Sequence, residues 1–293
     1  MSGKAVVIGG GITGALTALD LVSNGWRVTV VEGAHIGAGS SSRTAAGIRQ
    51  QFSTEGTVRG MRYAVQYYKD WAKHTGRDQL PIVQSGYLFL YDDPARWATA
   101  IETVAMQRSV GLSDVEALEV DELVRRFPYV SADAVVGGTW CPSDGFLLPD
   151  RVYQDAMGRV RELGGEVLQR AMVAGSHDSG GRLTSVSTGK GEIEGDIFID
   201  CTNAWTNRTA ALLKAEHLPV DPLKRYLWFL IRDGSMTAEQ LASMPLVIAP
   251  NGIYVRPENG ESLMMGKKHD APPEPDFSYD DQDDIEPRFS HQT

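Results

Sequence analysis

The start of the chain combines two apolar runs with an amphipathic segment between them. Residues Lys4–Ile8 are mostly apolar, as in a buried strand, and Trp26–Glu32 is a second run of this kind. Between them, Ile12–Ser23 repeats its apolar residues at helical spacing. The pattern predicts a strand–helix–strand unit with parallel strands.

The next part of the chain alternates helical and extended patterns. Ser53 is a predicted N-cap, with Glu55 in the first turn, and apolar residues follow at helical spacing from Val58 to Ala72. The other elements predicted here are a strand over Val83–Tyr91, a helix from Asp92 to about Val110 and a short helix over Asp121–Phe127.

The second half of the chain is richer in strand patterns. A helix is predicted after Asp150 and ends at Gly164, and the apolar run Asp196–Trp205 is typical of a parallel strand that leads into a helix. Further strands are predicted over Glu166–Arg170, Met172–Ala174, Arg182–Thr188, Glu192–Ile193, Leu223–Arg232, Leu246–Pro250, Gly252–Arg256 and Ser262–Gly266.

Glycines occupy the turn between the first strand and the first helix. They fit the pattern G-x-G-x-x-G, which permits a tight turn, close approach of backbone N–H groups to a pyrophosphate, and close packing of helix on sheet. Glu32 ends the second strand, where an acid receives the ribose hydroxyls of adenosine and argues against a 2′-phosphate. The predicted cofactor contacts here are Gly9, Gly11, Ile12, Thr13, Gly14 and Glu32. The alternative is a βαβ unit that needs its glycines only to turn.

The composition of the chain indicates which kinds of binding partner and which cellular compartment to expect. The 293-residue chain has a net charge of −10, which disfavours nucleic acid and anionic membrane surfaces as partners. Cys141 and Cys201 are too few for a disulfide framework or a metal-ligand cluster, so no metal site is predicted. The first strand begins too close to Met1 for a signal peptide, and no apolar run approaches the roughly 20 residues that span a bilayer. We therefore expect a cytoplasmic protein.

The segment 33–52 is long and rich in small residues, so it is either mobile or moulded to a ligand. Its serines and Arg43 offer hydrogen-bond donors and one fixed positive charge to a diphosphate, while Ala45, Ala46 and Gly47 leave space for a flat ring. This serine-rich run, followed by Ala-Ala-Gly-Ile-Arg-Gln-Gln-Phe52, resembles the flavin-approach loop of the D-amino-acid oxidase superfamily, in the branch of sarcosine oxidase, glycine oxidase and amino-acid dehydrogenases.

The resemblance implies an α/β fold with FAD as cofactor. A Rossmann-like FAD-binding domain, built on the GxGxxG βαβ unit, would be interleaved with an α+β substrate domain that contains an antiparallel sheet. The implied division is FAD-binding segments at 1–52 and 144–214, a substrate-side insertion at 53–143, a substrate-domain sheet at 215–270 and an acidic, Pro-rich tail at 271–293.

The resemblance also implies further cofactor contacts. These are Ser40, Ser41, Ser42, Arg43, Ala46, Gly47, Val173, Thr202, Asn203 and Trp205. Val173 would meet the adenine through its backbone. Asn203 stands where relatives have glycine, and asparagine tolerates the left-handed backbone better than most residues. Some relatives tether the flavin through a histidine at the position of Ser42, so we expect non-covalent FAD here.

On the substrate side, the resemblance implies two candidate catalytic residues. Arg49 matches an arginine that pairs with the substrate carboxylate, a task suited to a planar guanidinium, and the alternative is a surface arginine. Tyr254 would project from the sheet that floors the substrate cavity. Some relatives carry a second arginine at the position of Ala46, and sarcosine oxidase-like members carry a lysine that assists reaction with oxygen at the position of Met264. This chain lacks both side chains.

The implied reaction is oxidation of the C–N bond of an amino acid or secondary amine, such as a sarcosine-, glycine- or proline-like compound. Hydride would pass from the carbon to flavin N5 and leave an imine, since the electron chemistry belongs to the cofactor. One alternative on the same fold is oxidation of a 2-hydroxy acid, which would call for a general base. Another, from a different class, is a non-catalytic FAD-binding subunit.

The end of the chain departs from the family pattern. Relatives continue well beyond the equivalent of Thr293, with a strand and a helix that return to the flavin domain. Here Ser262–Gly266 is followed by an acidic, Pro-rich stretch. We therefore expect a truncated form, or one part of an assembly in which a partner chain completes the flavin site.

Overall fold

The computed structural model describes residues 3–220, 222 and 225–267. The strands are β1 (Lys4–Ile8), β2 (Arg27–Val31), β3 (Gly47–Ile48), β4 (Ile82–Val83), β5 (Tyr87–Tyr91), β6 (Glu116–Leu118), β7 (Gly137–Cys141), β8 (Gly145–Leu147), β9 (Glu166–Leu168), β10 (Val173–Ser179), β11 (Arg182–Thr188), β12 (Gly191–Glu194), β13 (Ile197–Asp200), β14 (Leu227–Ile231), β15 (Leu246–Ile248), β16 (Ile253–Asn259) and β17 (Ser262–Lys267). The α-helices are α1 (Ile12–Ser23), α2 (Glu55–Lys69), α3 (Trp71–Thr75), α4 (Pro94–Ser109), α5 (Val120–Arg126), α6 (Pro149–Glu162), α7 (Thr206–Leu212) and α8 (Ala238–Ala242). Short 3₁₀ turns cover Ser40–Ser42, Ala132–Ala134 and Asn203–Trp205.

These elements form two compact units. The first takes its described residues from Met1–Arg43 and Tyr153–Arg225, and the second from Thr44–Val152 and Tyr226–His269. Residues 44–52 and 144–152, which the sequence pattern assigned to FAD-binding segments, therefore group with the second unit. The reason is strand pairing, since β3 and β4 both pair with β8 in one small antiparallel sheet. The predicted acidic tail lies outside the described residues.

The first unit is built on the predicted βαβ start. Its four-stranded parallel sheet has the order β13-β1-β2-β9, with Ala5 opposite both Val28 and Ile197. Helix α1 has the predicted bounds, and the strand predicted before Trp205 is β13. The apolar residues of the sheet pack against the three-stranded antiparallel sheet β10-β11-β12 in one core, which contains Val6, Ile8, Val31, Ala171, Val173 and Val186.

The glycine turn after β1 leaves no space for side chains. Gly9 has a φ of +109°, and a Cβ built there would lie 2.6 Å from the carbonyl oxygen of Cys201. A Cβ on Gly14 would lie 1.9 Å from the carbonyl oxygen of Gly9. Two of the three motif glycines are therefore required for the close approach of β1, α1 and the residues that follow β13.

The second unit contains a seven-stranded sheet in the order β14-β17-β16-β15-β5-β7-β6. All neighbours are antiparallel except β15 and β5. Phe89, Ile248, Tyr254 and Gly266 stand opposite one another on adjacent strands, so they share one face. The other face covers a core that includes Leu88, Leu118 and Leu123.

Two elements predicted as continuous are divided in the structure, and both predictions are wrong in this respect. The helix predicted after Ser53 begins one residue later, with Thr54 as N-cap, and is interrupted at Asp70 between α2 and α3. The strand predicted over 83–91 is interrupted at Gly86, whose φ is +89°, so β4 and β5 belong to different sheets. Glycine adopts this conformation without steric cost, and the local apolar pattern contains no sign of the break.

The close packing at Gly14 predicts that alanine substitutions at two helical glycines change the free energy of unfolding in opposite directions. Gly14→Ala should lower the free energy of unfolding by about 1–3 kcal/mol, the usual cost of overpacking. Gly60→Ala in α2, where nothing lies within 4 Å of the added carbon, should raise it by up to about 1 kcal/mol through helix propensity. Urea denaturation of both variants tests this, and equal stabilities would contradict the packing described here.

Candidate active site

The first unit contains a cleft of about 780 Å³ at the carboxyl ends of β1, β2 and β13, which we call the nucleotide cleft. Its size is in the range of small-molecule and cofactor sites. The predicted contacts that line it are Gly9, Gly11, Ile12, Thr13, Glu32, Ser40, Ser41, Val173, Thr202, Asn203 and Trp205. Asn203 has a φ of +54°, the left-handed conformation expected for a residue that replaces glycine.

One end of the nucleotide cleft suits an anion. Helix α1 begins there with Gly11 as N-cap and without a side-chain cap, so the positive end of its dipole faces the cleft. The hydroxyl of Ser41 accepts a hydrogen bond from the N–H of Ile12 at 2.9 Å. A Cβ on Gly11 would lie 2.8 Å from that hydroxyl oxygen, so a larger residue here would displace the Ser41 hydroxyl.

The cleft also presents a buried carboxylate. Glu32 is 6% exposed, and its two oxygens accept hydrogen bonds from the N–H groups of Gly10 at 2.6 Å and Ala34 at 2.7 Å. Each oxygen retains a lone pair, because a carboxylate can accept about four hydrogen bonds. The glycine cradle and this acid together fit the diphosphate and ribose of an adenine dinucleotide.

Other predicted cofactor contacts do not line the nucleotide cleft. Gly14 lies inside α1 and serves packing. Ser42 is exposed and its hydroxyl donates to the carbonyl of Gly39 at 3.3 Å, while the guanidinium of Arg43 donates to the carbonyl of Ala38. Ala46 and Gly47 belong to the second unit. Arg208 lines the cleft and was missed, because the sequence between Trp205 and Leu212 shows only an ordinary helix.

In the second unit, the segment Thr44–Phe52 carries Arg49 and is tied to its surroundings along its length. We call it the Arg49 segment. The carbonyl of Ala45 accepts from Arg256 Nε at 2.7 Å, and the carbonyl of Ala46 accepts from the N–H of Leu147 at 2.9 Å. Strand β3 pairs with β8, and the carbonyl of Phe52 accepts from Gln107 Nε2 at 2.9 Å. The segment is thus part of the substrate-side scaffold.

Asp144 anchors the end of the Arg49 segment. It is fully buried, and Oδ1 accepts from the N–H of Gln50 at 2.7 Å and from Gln50 Nε2 at 3.0 Å. Its Oδ2 accepts from Gln51 Nε2 at 3.2 Å. Burial raises the pKa of Asp144 to about 6, and the hydrogen bonds from the two glutamines oppose that rise.

Arg49 lies against aromatic rings. Its guanidinium carbon is 4.5 Å from the ring centre of Phe52, 5.1 Å from that of Phe89 and 5.9 Å from that of Tyr87. Burial raises the pKa of Tyr87, while the charge and hydrogen bond of Arg49 act against that rise. Arg49 also lines a cavity of about 510 Å³ between α4 and strands β5 and β7. A half-buried cation in such surroundings suits a carboxylate ligand.

Tyr254 shares the sheet face of Phe89, two strands away, which corresponds to about 10 Å at the usual strand spacing. A Cβ on Gly266 would lie 2.2 Å from the Tyr254 ring, so the ring crosses β17 where a side chain is absent. The second unit therefore presents Arg49 and Tyr254 close to one face of its large sheet. Met264, at the position of the family's lysine, is buried.

Neither a metal cluster nor a membrane helix is found in the described part of the chain. No group of three or more His, Cys, Asp or Glu side chains there could hold a metal ion. No described helix has the length and apolar character needed to cross a bilayer.

Comparison with known proteins places these features in a family context. A family model described as FAD dependent oxidoreductase (DAO) matches residues 4–292. The chain is 26% identical to FAD-dependent oxidoreductase domain-containing protein 1 of Xenopus laevis, over 93% of this chain and 62% of that protein. It is 24% identical to the mitochondrial pyruvate dehydrogenase phosphatase regulatory subunit of Mus musculus, over 92% of this chain and 30% of that protein.

A solved structure shows the same fold. L-proline dehydrogenase from P. horikoshii superposes with a TM-score of 0.83 at 28% identity, over 95% of this chain and 74% of that one. The interleaved α/β fold predicted from the glycine motif and the Arg49 segment is thereby confirmed. The chain spans less than two thirds of the length of the two curated relatives named above.

The buried carboxyl of Asp144 predicts a pH dependence of stability. Its pKa is about 6 in the folded chain and near 3.8 when exposed, so the folded state binds more protons between these values. The free energy of unfolding should therefore fall as pH rises from about 4 to 6, by roughly 3 kcal/mol at about 1.4 kcal/mol per pKa unit. Asp144→Asn should remove this part of the slope.

Denaturant titrations across this pH window provide the measurement. Asp133→Asn, at an exposed position of the same unit, is the control and should keep the parent slope. Parallel curves for the parent and Asp144→Asn would show that Asp144 does not titrate as described.

Proposed function

This chain belongs to the family of FAD dependent oxidoreductases, and we propose that it oxidises the C–N bond of an amino acid or secondary amine to an imine, with FAD bound non-covalently. The observation that carries the proposal is that one unit contains a dinucleotide-type cleft and the other contains an aromatic-lined arginine. Neither feature alone would separate an amine-oxidising flavoprotein from a plain nucleotide-binding protein.

The residues of the nucleotide cleft fit FAD. The amino end of α1, with Ser40 and Ser41, would hold the diphosphate, and Glu32 would accept from the adenosine ribose. The backbone at Val173 would meet the adenine. Ser42, at the position of the tethering histidine of some relatives, has no group that forms such a bond, which supports non-covalent binding.

The second unit would bind and orient the substrate. Bound FAD supplies the two-electron oxidising chemistry, and the protein supplies position and a dry environment. Arg49 would hold the substrate carboxylate through two parallel hydrogen bonds, and the rings around it exclude water, which strengthens that ion pair. Tyr254, on the same sheet face as Phe89, would limit where the remainder of the substrate lies.

An amine substrate suits the groups available near Arg49. A free amine already carries the lone pair that drives C–H oxidation, whereas a 2-hydroxy acid needs a base to take its hydroxyl proton. Asp144 is a carboxyl that hydrogen-bonds to the Arg49 segment, but it is fully buried and both its oxygens accept from glutamines. We therefore favour amines over 2-hydroxy acids.

A second candidate is a non-catalytic FAD-binding subunit. It is favoured by one relative, which is named a regulatory subunit, and by Ala46 and Met264, which replace an arginine and a lysine of the family pattern. The expectation that a partner chain completes the flavin site remains a prediction. Anaerobic mixing with amines and amino acids distinguishes the candidates, because bleaching of the flavin spectrum indicates catalysis and a bound but unreactive flavin indicates a subunit role.

The role of Arg49 predicts a specific pattern among variants. With a carboxylated amine that bleaches the flavin, Arg49→Lys and Arg49→Ala should both lower kcat/KM by about 10- to 100-fold, since lysine lacks the planar fork. With an analogue that lacks the carboxylate, both variants should match the parent. Stopped-flow flavin reduction measures the rates.

Arg59→Lys is the matched control, because Arg59 is an exposed arginine of α2 that pairs with Glu55. It should leave the rates unchanged. Parent-like rates for Arg49→Lys with the carboxylated amine would remove Arg49 from the site.

A further inference from the structure

The nucleotide cleft has few charged side chains. Among the described residues that line it, Glu32 and Arg208 are the ones that carry charge. A diphosphate brings negative charge into a cleft that already holds the buried Glu32 carboxylate. The dipole of α1 supplies roughly half a positive charge, which is too little to balance a dianion. A side-chain cation would offset the remaining negative charge, and the described lining contains Arg208.

Arg43, the cation that the sequence pattern suggests, is placed differently. Its guanidinium donates to the carbonyl of Ala38, within the turn that it follows, and it does not line the cleft. One of its N–H groups is therefore already used in a hydrogen bond to the backbone.

Arg208 is carried by a helix that is firmly attached beside the cleft. It lies three residues after Trp205 and four before Leu212 on α7, so all three occupy one helical face, and all three line the cleft. Hydrogen bonds fix this helix, from Thr206 Oγ1 to Asp200 Oδ2 at 2.7 Å and from Ser176 Oγ to the carbonyl of Leu212 at 2.7 Å.

The guanidinium of Arg208 itself is available. Its side chain is exposed, and it makes no hydrogen bond or ion pair with any residue in the described ranges. Asp200, one of the two acids nearest to Arg208 in the sequence, accepts hydrogen bonds from the hydroxyls of Thr202 and Thr206. The cleft thus holds, on a fixed helix, a guanidinium that none of the described residues pairs with.

We propose that Arg208 binds the diphosphate of the dinucleotide and is the principal side-chain cation of the cofactor site. The assignment rests on the proposed binding of FAD. Arginine suits the task because its planar donors match phosphate oxygens in pairs and its charge persists at any physiological pH. Arg208 then offsets the negative charge of the diphosphate. Arg43, which the sequence suggested for this role, does not line the cleft.

The test compares ligands that differ in phosphate content. Isothermal titration of the flavin-free full chain with FAD, ADP and adenosine is carried out for the parent, Arg208→Gln, Arg208→Lys and Arg43→Gln. Arg208→Gln should weaken FAD and ADP by about 10- to 100-fold, as expected for lost charge-assisted hydrogen bonds, and leave adenosine unchanged. Arg208→Lys should recover part of the loss, and Arg43→Gln should stay within about threefold of the parent.

The outcomes that overturn the proposal are distinct. An equal loss for adenosine would place Arg208 against the adenine or ribose, and a larger loss in Arg43→Gln would assign the diphosphate to Arg43. Unchanged FAD and ADP affinities in Arg208→Gln would remove it from the site while FAD binding stands. Parent protein that binds neither FAD nor ADP would refute the proposed cofactor itself. Circular dichroism and thermal melting of each variant establish that the substitution has not unfolded the protein.

Discussion

The second unit depends on two buried charges that hold one short segment between them. Arg256 is 5% exposed and donates to the carbonyls of Ala45 and Pro257 while it pairs with Glu258 at 2.7 Å. Asp144 accepts from Gln50 and Gln51 at the other end of the Arg49 segment. Burial of a charge is costly unless hydrogen bonds compensate, so each anchor is stable only with the segment in place. The segment and its anchors therefore stabilise one another.

This mutual dependence explains how a strained backbone persists. Ala46 has a φ of +51°, which costs a residue with a Cβ about 1 kcal/mol or more. Its N–H donates to Thr44 Oγ1 at 3.0 Å and its carbonyl accepts from Leu147, so the conformation is determined from both sides. The turn at Ala46 directs the chain into β3, and Arg49 follows one residue after that strand. A rigid approach is what an arginine needs if it is to hold a carboxylate in one orientation.

The sequence predicted the parts of the fold that depend on local signals. The glycines around Gly11, the helix after them and the acid at Glu32 lie within one βαβ unit, where spacing along the chain corresponds to position in space. The anchors of the Arg49 segment could not be predicted in this way, because Asp144 and Arg256 are distant in sequence and look like ordinary polar residues. The arginine that lines the nucleotide cleft could not be predicted from local signals either. Arg43 was predicted as a cofactor contact because it adjoins the serine run, while Arg208 lines the cleft only because α7 returns to β10.

The sheet face on which we propose that the substrate binds is formed by side chains on strands that no motif marks. Phe89, Ile248, Tyr254 and Gly266 come from four strands, and only their register brings them to one face. The space for the Tyr254 ring exists because Gly266 has no Cβ, so the shape of this face is a property of pairs across strands. A shift of one residue in β17 would exchange Gly266 for a residue with a side chain and displace the ring. The glycine motif and this sheet face therefore depend on different kinds of sequence information, the first on spacing along the chain and the second on register between strands.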